Sequence, residues 1–64
     1  MLTIENAKAY MENLLEGDGA EIVGAWEGTV HGVPVVTVKF LTKTKREEFA
    51  DVWMQENGKL YGEW

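Results

Sequence analysis

Sixty-four residues without a single cysteine leave room for one domain, residues 1–64, whose thin core can be supplemented neither by disulfides nor by a thiolate metal site. Eleven acidic against six basic side chains give a net charge of -5, which disfavours nucleic-acid phosphates and anionic membranes as partners. No run approaches the roughly 20 apolar residues of a spanning helix, and the N-terminus lacks the basic start and apolar stretch of a signal peptide, so a cytoplasmic protein is expected.

Taken in chain order, the first element is a helix from Ile4 to Glu16. Thr3 can cap it, Glu5 lies in its first turn at the positive end of the helix dipole, and Gly17-Asp18-Gly19 ends it. At about 100° per residue, Ile4, Ala7, Tyr10, Met11, Leu14 and Leu15 fill an arc of about 140°, and the remaining arc is polar. Glu5, Glu12 and Glu16 form an acidic stripe on that wet side, read as a solvated face, with docking of a basic partner as the other possibility.

The β-prone run Val30 to Phe40 organises the rest. Ala20 to Thr29 reads as a strand, and Val30-His31-Gly32 as a three-residue loop closed by Gly32 in the left-handed conformation. That loop sets Trp26 opposite Val36, Gly24 opposite Val38 and Ile22 opposite Phe40, and it puts the apolar even positions on one face. A two-residue turn would instead mix Trp26 with Thr37 and Lys39. After a basic turn at Lys43 to Arg46, Glu47 to Gln55 reads as a third strand. A loop of Glu56-Asn57-Gly58 with a bulge at Gly58 then sets Met54 opposite Leu60 and Val52 opposite Gly62. The expected architecture is α+β: one N-terminal helix packed on a curved four-stranded antiparallel meander. Trp26 and Trp64 are expected in the core beneath the helix, and Gly24, Gly28 and Gly62 on that same face.

The opposite face should be polar if only solvent touched it. Instead the odd positions carry Val23, Ala25, Val33, Val35, Leu41, Phe49, Trp53 and Tyr61 among the charges. Contiguous apolar surface usually marks a contact. Val35, Phe49, Trp53 and Tyr61 are therefore the candidate binding residues, and a sheet-to-sheet homodimer is the economical cover.

Reactive chemistry has little support. His31 is the only histidine and reads as a turn residue; no metal set and no cofactor motif is expected. Asp51, between Phe49 and Trp53, is either a carboxylate placed to act as acid or base, or the partner of Lys39 from a second copy. Glu47 and Glu48 point to opposite faces of a strand, so they do not pair as in a glycosidase. Lys43 to Arg46 reads as a solvated turn, with phosphate contact as the weaker alternative. The expectation is a non-enzymatic protein-protein interaction module with an accessory or regulatory role.

The stretch Gly28 to Trp64 contains Gly32-Val33-Pro34-Val35-Val36-Thr37-Val38, then Phe49-Ala50-Asp51-Val52-Trp53 and Asn57-Gly58-Lys59-Leu60, closing on Glu63-Trp64. It resembles the closing hairpins of SnoaL-like polyketide cyclases and ketosteroid isomerases, of the cystatin-like α+β group. No family catalytic residue falls on a matching position, and nothing in the sequence matches the further helices that close the ligand cone there. The resemblance implies a curved sheet wrapped on a helix, frequent dimerisation and, as an alternative function, a small-molecule-binding protein or minimal enzyme. In that alternative an apolar ligand lies between helix and sheet or across the dimer seam, with Tyr10, Trp26 or Asp51 supplying polar contacts.

Overall fold

The computed structural model describes all 64 residues as one helix, α1 (Ile4–Leu15), followed by four strands, β1 (Glu21–Val30), β2 (Val33–Leu41), β3 (Glu47–Met54) and β4 (Leu60–Glu63). The strands form a single antiparallel sheet in chain order, β1-β2-β3-β4. The α+β arrangement expected from the pattern is thus observed. The helix begins where its cap predicts, because the Asn6 backbone N–H donates to Thr3 Oγ1 at 3.0 Å. It ends one residue early, with Glu16 as the C-cap.

Ala7, Met11 and Leu15, spaced four apart, form the buried stripe of α1. They meet Val36, Val38 and Phe40 of β2 and Ala50 and Val52 of β3 in one core cluster. Met11, Val36, Val38 and Val52 are almost wholly withdrawn from water, and each such large side chain stabilises the fold by about 1.5–3 kcal/mol. Ile4 and Leu14, on the margins of the apolar arc, are exposed. Tyr10 reaches past the core to β4, where the Gly62 backbone N–H donates to Tyr10 Oη at 3.1 Å. A side chain at position 62 would put its Cβ 3.0 Å from Tyr10 Cε2, so glycine there permits the close approach of helix and strand.

The three hairpins differ in how closely they follow the expected register. Between β3 and β4 the bulged loop is as read: Gly58 has φ 82°, Met54 faces Leu60, and Val52 faces Gly62. Between β2 and β3, Lys45 adopts φ 68° in the place glycine usually takes, and its N–H donates to the Thr42 carbonyl at 2.8 Å.

The first hairpin departs from the expectation. His31 and Gly32 both have positive φ, 51° and 79°, and Val30 pairs directly with Val33. This is the two-residue turn whose backbone twist matches that of the strands, and histidine is among the residues that tolerate the left-handed region. Trp26 consequently faces Thr37 rather than Val36, and Gly24 faces Lys39 rather than Val38. Ile22 still faces Phe40, because an irregularity between Ile22 and Gly24 takes up one residue and restores the parity.

Three side chains change sides as a result. Trp26 leaves the helix side and stands 46% exposed on the opposite face. Ala25, paired with Val38, packs against the core cluster in its place. Glu27 moves to the helix side as well, where it shares a hollow with Leu2, Thr3 and Glu5 at the start of α1, the end of a helix that favours negative charge. Trp64 remains on the helix side, with its ring 6.3 Å from that of Phe40, but it is 57% exposed and belongs to the margin of the core.

Candidate functional site

With the register known, the face of the sheet away from α1 can be read row by row. Cross-strand partners share a face, so Gly28 and Val35 stand in one row with Trp53 and Tyr61. The next row is Trp26, Thr37, Asp51 and Glu63, and the next is Gly24, Lys39 and Phe49. All four binding residues expected from the sequence, Val35, Phe49, Trp53 and Tyr61, lie on this face. The register adds Trp26, which the sequence pattern had assigned to the core.

Val35 requires a correction of role. It is only 4% exposed and lies outside the main core cluster, so it forms the floor of this face and is already covered within one chain. The available apolar surface belongs instead to Phe49 (50% exposed), Trp26 and Tyr61 (44%), and to Val30 and Val33 near the first turn, with Trp53 half-buried. The rings are organised as two edge-to-face pairs. Trp26 and Phe49 meet across β2 with centroids 6.1 Å apart at 65°, and Trp53 and Tyr61 meet as direct cross-strand neighbours at 4.9 Å and 62°. Such pairs hold the rings in fixed orientations and contribute about 0.5–1.5 kcal/mol beyond area burial. The face therefore presents its aromatic rings in a largely preorganised arrangement.

Between the aromatic pairs lies a polar centre. Thr37 Oγ1–H donates to Asp51 Oδ1 at 2.8 Å, and Asp51 stands directly opposite Glu63 on β4. Lys39 Nζ lies 3.4 Å from Glu47 Oε2 in the only ion pair of the chain, at the exposed side of the same face. A recess of about 310 Å³ opens beside this centre, with Val30, Val33 and Val35 on one side and Trp53, Asp51 and Glu63 on the other; His31 of the turn also lines it. Its size is at the lower end of ordinary ligand sites, about 300–1,000 Å³. A larger hollow of about 560 Å³ under the C-terminal end of α1 is lined by Glu12, Asn13 and Glu16, by Leu15, Ala20 and Ile22, and by glycine backbone, without an aromatic side chain.

The remaining sequence candidates are dispersed. His31 is a turn residue with left-handed backbone, and Lys43 to Arg46 form the β2–β3 loop. Nowhere does the structure gather three or more His, Cys, Asp or Glu side chains around one point where a metal ion could be held. No helix is long and apolar enough to cross a membrane. No protein-family model matches the sequence, and neither the curated proteins nor the solved structures contain a significant match to the chain.

Proposed function

We propose that the chain is a small non-catalytic protein-interaction module, of accessory or regulatory kind, whose contact surface is the face of the sheet opposite α1. The observation that carries this reading is the placement of two aromatic pairs, Trp26–Phe49 and Trp53–Tyr61, on one face of the sheet, with Trp26, Phe49 and Tyr61 exposed. Tryptophan and tyrosine are among the residues most enriched where binding energy concentrates, and exposed apolar surface bordered by polar groups usually marks an interface.

Self-association is the symmetric form of the same proposal. The aromatic rings favour it, since two copies placed sheet to sheet would cover them. The Thr37–Asp51 centre opposes it: each copy would bring Asp51 and Glu63 into the seam with only Lys39, already beside Glu47, as a cation. Withdrawing a carboxylate from water costs several kcal/mol when no cation compensates, so a different partner suits the face better than a second copy. For the small-molecule alternative, the space between helix and sheet is filled by Met11, Val36, Val38 and Val52, and the recess beside Trp53 is the place that favours it.

The test is capture of binding proteins from an extract of the native host on immobilised wild-type chain, on Phe49→Ser/Tyr61→Ser and on Glu12→Lys, which alters only the exposed side of α1. A protein held by wild type and by Glu12→Lys but lost from the double variant supports the assignment. Equal retention by all three would locate the contact elsewhere.

A further inference from the structure

The central carboxylates are the feature that an apolar contact surface does not explain. Asp51 and Glu63 are direct cross-strand partners on one face, an arrangement in which like charges destabilise a sheet. Neither has a basic side chain within ion-pair distance, and Asp51 receives its one side-chain hydrogen bond from a neutral hydroxyl, Thr37. The carboxylates border the recess, whose other wall is the aliphatic surface of Val30, Val33 and Val35 and whose side is Trp53.

Building on the assignment of this face as the contact surface, we infer that the partner is a protein presenting a basic segment: a lysine or arginine side chain enters the recess with its cation between Asp51, Glu63 and Trp53. The chemistry of the walls selects that occupant. A long basic side chain has an apolar stem, which suits the valines, and a charged tip, which suits the carboxylates. The same cation gains from the face of an indole ring. A neutral apolar group would strip water from two carboxylates and return nothing. A second copy has only Lys39 to offer, beside its own Glu47. The overall charge of -5 also draws a basic segment toward the chain before contact.

The test uses a pentapeptide alternating lysine and leucine, blocked at both ends, and its counterpart with glutamine for lysine. Binding is followed at low and at high salt through the indole N–H signals of Trp26, Trp53 and Trp64 in a nitrogen-resolved proton spectrum. The lysine peptide is expected to bind at least about tenfold more tightly than the glutamine peptide, as charge-assisted contacts are stronger than neutral ones, and to move the signals of Trp53 and Trp26 but not that of Trp64. Asp51→Asn/Glu63→Gln should remove most of that preference and stay folded, melting at or slightly above the wild-type temperature. Glu5→Gln/Glu12→Gln, which removes the same charge from the exposed side of α1, should keep the preference. Equal affinity for the two peptides, with Trp53 and Trp26 still responding, would overturn the basic-segment inference while leaving the contact surface intact. An equal loss in the helix variant, or no binding at millimolar peptide, would also overturn it. Self-association of the chain alone that shields Trp26 and Trp53 would make the occupant a second copy. A response confined to Trp64 would overturn both the inference and the assignment on which it rests.

Discussion

The seam between α1 and β4 offers a quantitative test of the packing. β4 is a four-residue edge strand, and the Gly62 N–H on it is bonded to Tyr10 Oη across 3.1 Å. Tyr10→Phe removes the acceptor and leaves the ring in place. A lost neutral hydrogen bond costs about 0.5–1.5 kcal/mol, which for a domain of this size lowers the melting temperature by about 4–8 °C per kcal/mol. Gly62→Ala acts on the same seam by crowding: the new Cβ falls 3.0 Å from Tyr10 Cε2 and 3.5 Å from both Met11 Sδ and Val52 Cγ2. Overpacking of this kind costs about 1–3 kcal/mol, offset by about 0.5–1 kcal/mol from the smaller entropy loss of alanine in a strand. In a Tyr10→Leu background the ring carbon is gone, so Gly62→Ala should then be neutral or stabilising. Urea denaturation of the four chains of this cycle, with amide exchange at Gly62, measures both effects. If the two substitutions add to within about 0.3 kcal/mol, and Tyr10→Phe leaves Gly62 exchange unchanged, the proposed seam does not exist.

Other outcomes follow from single positions. Met11→Ala empties the centre of the core at a cost of about 2–5 kcal/mol, a large share of the total of about 3–10 kcal/mol expected for 64 residues, so the melting temperature followed by circular dichroism should fall by about 10 °C or more; a wild-type melt would contradict the core. Lys45→Gly relieves a left-handed backbone and should stabilise by up to about 1 kcal/mol, whereas His31→Val, which places a β-branched residue at φ 51°, should destabilise by about 1–2 kcal/mol; a thermal melt that ranks them the other way would refute the turn assignments. Glu63→Gln removes the like-charge opposition to Asp51 and should raise stability by about 0.2–1 kcal/mol at low ionic strength, with the gain shrinking in molar salt; a loss at low salt would mean that Glu63 has a cationic neighbour in the free chain.

Much of the fold was legible in the residues. The spacing of Ala7, Met11 and Leu15 and the cap at Thr3 are observed as read, and of the two loops that Asn57-Gly58 allows, a tight two-residue turn or a three-residue loop with a bulge at Gly58, the structure has the bulged one that keeps the apolar positions on one face. The first hairpin was less legible because Gly32 serves two loops: it can close a three-residue loop or occupy the second place of a two-residue turn, and the choice depends on whether His31 tolerates the left-handed region. Choosing by an unbroken alternation of apolar residues assumed no irregularity in β1. The irregularity between Ile22 and Gly24 makes Ile22 face Phe40 under either loop, so that pairing carries no information about the turn. The two-residue turn also carries Glu27 to the helix side near the start of α1, a placement that depends on how the helix packs and is not encoded along one strand. The apolar character of the sheet face away from α1 was legible in Phe49, Trp53 and Tyr61. Trp26 was missed with the turn, and the burial of Val35 was missed because neighbouring side chains on other strands produce it, which alternation along one strand does not encode.

Whether the sheet face opposite α1 meets a partner is tested by photocrosslinking in the native host, with benzoylphenylalanine in place of Phe49 in one strain and in place of Glu12 in another. The ring of Phe49 is half exposed beside that of Trp26 on the aromatic face, whereas Glu12 is exposed on α1. Irradiation is expected to give a discrete covalent adduct to a second protein from position 49 and none from position 12. An adduct from position 12 with none from position 49 would contradict the assignment of the sheet face as the contact surface.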